Sequence, residues 1–330
     1  MNERPRDRSL FGPIVLIGAG VIWLLVNYNV IQGFEWWQLL RLWPLFLIAA
    51  GLELLLGRNR PVVSAIVGLL TVGAAVALLY FAPQLGLSQS ADLKHERFTA
   101  PLDGATSAEI NLDLSSFATD VTAASAGADL LDAELAFTGE IVFDASGTSR
   151  KTVNLRHAGG FSGPWDWFSG FEGRWEITLS PDVPLDLNVD IGSGSTELDL
   201  AGLRLNAVNI DGGSGSLRLA LPAGDAESTY TVDLNGGSGA SVVSVAGDAN
   251  GRLEYDGGSG SLTVEVPSGL AVRMEVVDSG SGAVRVPGGW ETVREGDNDE
   301  GVWQTAGFET AARQFVLVVD DVGSGSITVR

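Results

Sequence analysis

The chain has 330 residues, a formal net charge of -21 and no cysteine. A disulfide, a thiol nucleophile and a lipidated cysteine anchor are therefore excluded, and the length suits a membrane segment plus one or two domains. Eight of the 20 basic residues and six of the 41 acidic ones precede residue 101, which leaves 12 and 35 beyond it, a net of -23. A domain that acidic repels nucleic acid and anionic lipid.

The front of the chain is apolar. Phe11 to Val30, Trp37 to Leu56 and Val62 to Ala82 are three stretches of the length a membrane-spanning helix needs, too closely spaced for a cleaved signal peptide. Gly18, Gly20, Gly68 and Gly73 suit close helix packing in lipid, and Trp36, Trp37 and Trp43 suit an interface belt. Arg4, Arg6 and Arg8 precede the first stretch, and Arg58 and Arg60 separate the second from the third. Basic residues stay in the cytoplasm, so the N-terminus and the 57–61 loop are expected there, with everything beyond the third helix outside. Arg41 and Glu53 fall near helix ends, where long charged side chains snorkel to the interface.

A polar tether follows. Between residues 101 and 182 the alternation of apolar and polar residues predicts strands at Ala108–Leu114, Asp132–Phe137 and Lys151–Arg156, within otherwise irregular β structure. The segment Asn111-Leu-Asp-Leu-Ser-Ser-Phe reads as a worn copy of the repeat described next, without its glycines.

Asp/Asn-x-Gly-Ser-Gly occurs six times, at 190–194, 211–215, 235–239, 256–260, 278–282 and 321–325. Successive copies lie 21, 24, 21, 22 and 43 residues apart, the last interval spanning about two periods. A period near 20 residues marks a stacked array, which has a packed core and a long surface but needs no catalytic pocket. Apolar residues recur four and six positions after the last glycine: Leu198/Leu200, Leu219/Leu221, Val243/Val245 and Val264/Val266. That shared period of two predicts strands stacked on one core, since a slip of one residue would turn the apolar face outward. A second strand precedes each motif, as in Val208/Ile210 and Val232/Leu234, whereas Met274/Val276 sit one step out of phase. Glycine suits a sharp corner through its permissive backbone, and the Asp or Asn can accept from the backbone two residues on.

Candidate sites are few. His95 and His157 are 62 residues apart, match no metal or triad pattern and are expected at the surface. Asp190, Asp211, Asp256, Asp278 and Asp321 could line up as a calcium ladder, but the known calcium nonapeptide carries its Asp after the glycines. Here that place holds Leu217 or Leu262, so turn closure is the preferred reading. Trp165, Trp167, Phe168 and Phe171, in a Gly-rich stretch, make either an exposed contact patch or a lid over the core, and both remain open. The acidic segment 290–310, with Trp290 and Trp303, reads as a long exposed loop.

Two segments carry a resemblance. Trp43-Pro-Leu-Phe-Leu-Ile-Ala-Ala-Gly-Leu, after a Gly-rich helix ending in Asn27-Tyr28-Asn29, resembles the membrane region of LiaF-like proteins. Trp175-Glu-Ile-Thr-Leu-Ser-Pro-Asp-Val-Pro-Leu-Asp-Leu, followed by Gly192-Ser-Gly-Ser-Thr-Glu-Leu-Asp-Leu-Ala-Gly-Leu, resembles the toast-rack domain, and the later repeats are similar to adhesin-like β domains. The LiaF-like resemblance implies a role in sensing cell-envelope stress and restraining a membrane histidine kinase. It brings no catalytic motif, so no functional residue is carried over.

The expected protein is a bacterial multi-pass membrane protein: a cytoplasmic tail (1–10), a three-helix transmembrane region (11–85), a linker (86–100), an N-terminal β region (101–182) and a Gly-Ser-Gly array (183–330). The all-β part is expected as a β-solenoid, with a β-sandwich as the alternative. The expected function is non-enzymatic, with no cofactor and no catalytic residue: an envelope-stress regulator, or alternatively an adhesin or scaffold binding glycan or protein. Expected partners are the bilayer and a membrane histidine kinase or cell-wall component, not nucleic acid.

Overall fold

In the computed structural model the described residues are 11–28, 43–57, 61–81, 93–127, 129–158, 173–224, 229–297 and 299–330. They form a helical unit before residue 93 and an all-β unit from Leu93 onward.

The helical unit contains α1 (Phe11–Asn27), α2 (Trp43–Leu52) running into a π-helical turn (Glu53–Gly57), and α3 (Pro61–Phe81). Among the described residues one helix, Val62–Phe81, is long and apolar enough to cross a membrane, while Gly12–Asn27 and Trp43–Leu55 are apolar but shorter. Ile22, Ala75 and Leu79 bury against one another. Of the helix glycines, Gly18 does serve close packing: a Cβ there would come 2.3 Å from Val72 Cγ2. Gly20 and Gly73 face open space, so their packing role is corrected. Glu53 does not simply snorkel. Its Oε1 accepts a hydrogen bond from the fully buried Ser64 at 2.8 Å, a polar contact made between helices. Arg41, Trp36 and Trp37 lie outside the described residues.

Among the described residues the β unit has 21 strands, numbered here in chain order: β1 (Lys94–Ala100), β2 (Ser107–Asp113), β3 (Ala118–Ala123), β4 (Leu131–Phe137), β5 (Glu140–Gly147), β6 (Arg150–Ala158), β7 (Arg174–Leu179), β8 (Pro184–Asp190), β9 (Ser195–Asp199), β10 (Arg204–Asp211), β11 (Ser216–Ala220), β12 (Tyr230–Asn235), β13 (Ala240–Ser244), β14 (Gly251–Asp256), β15 (Ser261–Glu265), β16 (Val272–Val276), β17 (Ala283–Arg285), β18 (Glu291–Glu295), β19 (Gly301–Gln304), β20 (Phe315–Asp321) and β21 (Ser326–Val329). They form two open sheets, ordered β1-β4-β7-β3-β9-β11-β13-β15-β21-β17 and β18-β19-β16-β20-β14-β12-β10-β8-β2-β6-β5. Neither closes into a barrel.

Each repeat places one strand in each sheet. The strand before the motif joins the 11-stranded sheet, the motif turns the corner, and the strand after it joins the 10-stranded sheet. Consecutive repeats pair in parallel: β8 with β10, β10 with β12 and β12 with β14 in one sheet, and β9 with β11, β11 with β13 and β13 with β15 in the other. The period-two residues bury as expected, with Leu198, Leu219, Val243 and Val264 at most 2 % exposed. One continuous core joins both sheets, from Ala100 to Val329.

Both ends depart from chain order. β20 and β21 insert between the preceding repeats, so that β20 pairs in parallel with both β14 and β16, and β21 with both β15 and β17. At the other end β2 lies between β6 and β8, and β3 between β7 and β9, again all parallel. The worn copy at 111–117 is thus a full member of the stack, and the strands flanking residues 159–172 form another. Antiparallel strands close both ends: β4 and β1 beyond β7, β5 beyond β6, and β19 and β18 beyond β16. The acidic segment 290–310, expected as a loop, supplies β18, β19 and a 3-10 turn at Phe308–Thr310, with Phe308 buried. Its aromatic residues gave the better signal, since Trp290 and Trp303 pack against the core.

The corner glycines act differently from the sequence expectation. Among the motif glycines only Gly280 and Gly323 have positive φ, 56° and 68°. The others stand where a neighbouring backbone comes too close for a side chain. A Cβ on Gly239 would lie 1.5 Å from the Gly215 carbonyl oxygen, and one on Gly260 would lie 1.9 Å from that of Gly239. Close approach, not an unusual dihedral, therefore requires glycine in the middle of the stack.

Candidate functional site

Parallel pairing in register brings chemically similar residues into rows across the outer face of the 11-stranded sheet. One row runs Arg156, Asp113, Asp190, Asp211, Asn235, Asp256, Asp321. Asp278 joins its end, where its carbonyl accepts from Val322 N at 3.1 Å. All five proposed calcium ligands are therefore on one row, and side chains one strand spacing apart, about 4.8 Å, feel one another. Burial and the flanking Asp113 and Asp211 carboxylates push the Asp190 pKa above its ordinary value. Among the described residues no group of three or more acidic or histidine side chains is arranged to hold a metal ion.

The Asp residues divide into two kinds. Asp278 Oδ1 accepts from Gly280 N at 2.8 Å, Asp321 Oδ1 from Gly323 N at 2.7 Å and Asp113 Oδ1 from Ser115 N at 3.3 Å. These are turns closed on the backbone two residues on, and Ser115, Gly280 and Gly323 take left-handed φ in them. In the middle of the stack the backbone ladder continues through the corner instead: Ile191 N donates to Asp211 O at 2.9 Å, Gly212 N to Asn235 O at 2.8 Å and Gly236 N to Asp256 O at 2.6 Å. There Asn235 Nδ2 donates to Asp211 Oδ1 at 2.7 Å, across strands rather than along the chain.

Two residues earlier a second row runs Asn154, Asn111, Asn188, Asn209, Asp233, Glu254. Its asparagines form a directional ladder. Asn209 donates to Asn188 at 2.7 Å, Asn188 to Asn111 at 2.7 Å and Asn111 to Asn154 at 2.9 Å. The two inner amides, Asn111 and Asn188, each use one N–H and one carbonyl lone pair in the ladder, so the second of each remains for a ligand. The two rows line a shallow groove of about 310 Å³ that includes Asn111, Asp113, Asn154, Arg156, Asn188 and Asp190. The ladder was not anticipated, although its signal is in the sequence: Asn-x-Asp recurs at 111–113, 188–190 and 209–211.

The remaining candidates are dispersed. His95 is exposed and borders a separate shallow hollow with Glu96, Arg97 and Arg174. His157 is half-buried rather than superficial. Its Nε2 lies 2.6 Å from Thr138 O, and its ring meets Phe117 edge-on at 5.0 Å. Trp165, Trp167, Phe168 and Phe171 lie outside the described residues.

Residues 10–55 match the LiaI-LiaF-like transmembrane region. Residues 89–244 match the N-terminal domain of toast_rack, DUF2154. The chain resembles a LiaF-like membrane protein with a toast-rack domain. That resemblance makes it a membrane protein of the cell envelope, in a bilayer environment. The toast-rack match spans β1 through β13 and so includes the Asn ladder and much of the Asp row. Comparison with curated proteins found no match. Among solved structures, a "putative cell adhesion protein" from Clostridium sporogenes is 18% identical with TM-score 0.49, covering 72% of this chain and 99% of that one. A "putative adhesin" from Bacteroides fragilis is 13% identical with TM-score 0.33, covering 72% and 97%.

Proposed function

We propose that this chain is a non-enzymatic envelope-stress sensor that restrains a membrane histidine kinase. The observation that supports the reading is the joining, in one chain, of a LiaI-LiaF-like membrane region and a toast-rack domain. Deleting the chain is expected to switch on a promoter controlled by that kinase without any envelope stress, and the kinase is expected to co-purify from detergent-solubilised membranes. A silent reporter together with no kinase in the eluate would sink the idea.

In this reading the N-terminus and the 57–61 loop are cytoplasmic, three helices cross the bilayer, and the β unit lies outside, as the arginine distribution favours. The division into tail, membrane region to residue 85, linker to 100, β region to 182 and repeat array to 330 belongs to the same proposal. Protease added to intact spheroplasts should remove residues beyond about 90, and full protection of the β unit would reverse the topology. We take the two-sheet array to be a β-solenoid, because every strand pair from β6/β7 to β16/β17 stacks in parallel on the next. Asp190, Asp211, Asp256, Asp278 and Asp321 are assigned to structure rather than to calcium, so addition of EGTA should leave the melting temperature unchanged.

A second reading has the β unit as an adhesin or scaffold for glycan or protein. The Asn ladder favours it, because a row of half-satisfied amides offers donors and acceptors of the kind that hydroxyl-rich ligands use. Trp165, Trp167, Phe168 and Phe171 would add an aromatic contact patch. Binding of cell-wall polymer that is lost in Asn209→Ala would favour this reading over the first.

A further inference from the structure

We propose that the free edge of β5 is a docking site for an extended, basic strand from a partner protein. The proposal rests on the reading that the chain acts through a protein partner.

An open sheet presents unpaired N–H and C=O groups along its edge strands, and proteins ordinarily block those edges. Among the described residues the two sheets end on four strands: β1, β17, β18 and β5. Three are blocked. β1 opens with Lys94, His95, Glu96 and Arg97, all exposed. β17 is only three residues long. β18 is wholly exposed, charged at Glu291, Arg294 and Glu295, and its pairing shifts register between Thr292 and Arg294. β5 carries acidic charge at Glu140 and Asp144 but none of the other devices. It is eight residues long and contains neither proline nor a basic residue. It pairs with β6 without a bulge, from Glu140↔Ala158 to Gly147↔Lys151. Ile141, Val142 and Phe143 are half-buried, Ile141 and Phe143 pack against the core, and the Phe143 ring lies 5.4 Å from that of Phe98. An unbulged eight-residue edge with an apolar stretch at Ile141–Phe143 is a template for strand addition.

The chemistry of the occupant follows from alternation along the strand. Ile141 and Phe143 face the core, so Glu140, Val142 and Asp144 face outward. Opposite charges stabilise directly facing positions and like charges destabilise them. The added strand therefore carries Lys or Arg opposite Glu140 and Asp144, with apolar residues continuing the Ile141–Phe143 face. A second copy of this chain would bring its own Glu140 and Asp144, on a domain of the same strong negative charge, and is disfavoured.

The test uses the full chain in nanodiscs of zwitterionic lipid. Three fluorescent peptides matched to β5 in length are compared: alternating Lys and Val, the same sequence with N-methylated backbone amides, and alternating Glu and Val. The Lys–Val peptide is expected to bind, with at least about tenfold weaker binding for each of the other two, a difference of about 1.4 kcal/mol. The Glu140→Lys, Asp144→Lys double variant should reverse the charge preference. Because the chain lacks cysteine, Val142→Cys provides a single thiol, which should cross-link to a peptide bearing Cys at one position and not at its neighbours. This readout keeps both native acids, so it stands even if the double variant misfolds. Equal binding of the N-methylated peptide would mean charge attraction alone and would overturn the proposal. So would cross-linking without positional preference, or a sedimenting dimer abolished by the double variant, which would make a second copy the occupant. A reporter that responds to deletion of the chain while the Lys–Val peptide fails to bind would overturn the docking site and leave the regulatory reading standing.

Discussion

The middle and one end of the β unit use the same five-residue corner in two ways. At 190, 211, 235 and 256 the chain crosses between sheets with the backbone ladder unbroken, and the glycines make room for the carbonyl groups of the next layer. At 278 and 321 the Asp closes a turn on Gly280 or Gly323, and the glycine takes a left-handed conformation. The one-step phase shift at Met274/Val276 has the same origin: Val276 lies two residues before Asp278, and β20 accommodates its extra residue as a bulge opposite Tyr255 and Asp256. The two shifted corners are neighbours in space although 43 residues separate them in sequence. The comparison shows that one motif can satisfy two demands, because glycine answers both steric crowding and unusual dihedrals.

The sharpest way to break this comparison is a pair of glycine substitutions. Gly239→Ala should destabilise the β unit by more than about 3 kcal/mol, because its Cβ would press on backbone that has no freedom to move. Gly247→Ala, whose Cβ would meet only Pro267 Cγ at 3.9 Å, should change stability by no more than about 0.5 kcal/mol. Thermal unfolding followed by circular dichroism separates them, and equal shifts would refute the close-approach account. Burial gives a second large contrast. Leu219→Asp places an unpaired carboxylate in the core, at a cost of several kcal/mol, whereas Arg218→Asp on the outer face should cost little.

Smaller effects sharpen the comparison. Asn188→Ala removes one donor and one acceptor from the ladder and should cost about 1–2 kcal/mol. Asn209→Ala, at the ladder's end, should cost roughly half that. If denaturant midpoints shift equally for both, the ladder is not a connected unit. The smallest effect concerns charge. The native Asp190 carboxyl has a raised pKa, so the folded state holds its proton to higher pH than the unfolded chain does. Stability from this group is present below the ordinary carboxylate range and falls as pH rises through the raised native value. Asp190→Asn should therefore slightly raise the melting temperature at pH 7 and flatten its pH dependence. A fall in melting temperature at pH 7 would show that the Asp190 charge stabilises the row.

Much of the β unit was legible in the sequence. The spacing of Leu198, Leu219, Val243 and Val264 after their motifs revealed both the strand register and the buried face, because a side-chain period of two leaves one face to the core. The apolar runs from Phe11, Trp37 and Val62 likewise located helices, which the structure describes at Phe11–Asn27, Trp43–Leu52 and Pro61–Phe81. The candidate face was only partly legible. Repeating Asp marked one row, but the Asn ladder became visible only when β6, β2, β8 and β10 were seen as neighbours, since Asn154, Asn111, Asn188 and Asn209 are not in that order along the chain.

What the sequence by itself determined is therefore local: strand period, apolar helices and the separation of charge. What only the tertiary structure decided is adjacency. β20 enters between β14 and β16, and β2 between β6 and β8. Each repeat offers the same backbone edge and the same apolar phase to any other, so local sequence does not distinguish a neighbour in the chain from a neighbour in space. The antiparallel caps β1/β4 and β18/β19 occupy outer edges of the end layers, where β20, β21, β2 and β3 are not found, so these four pack inside.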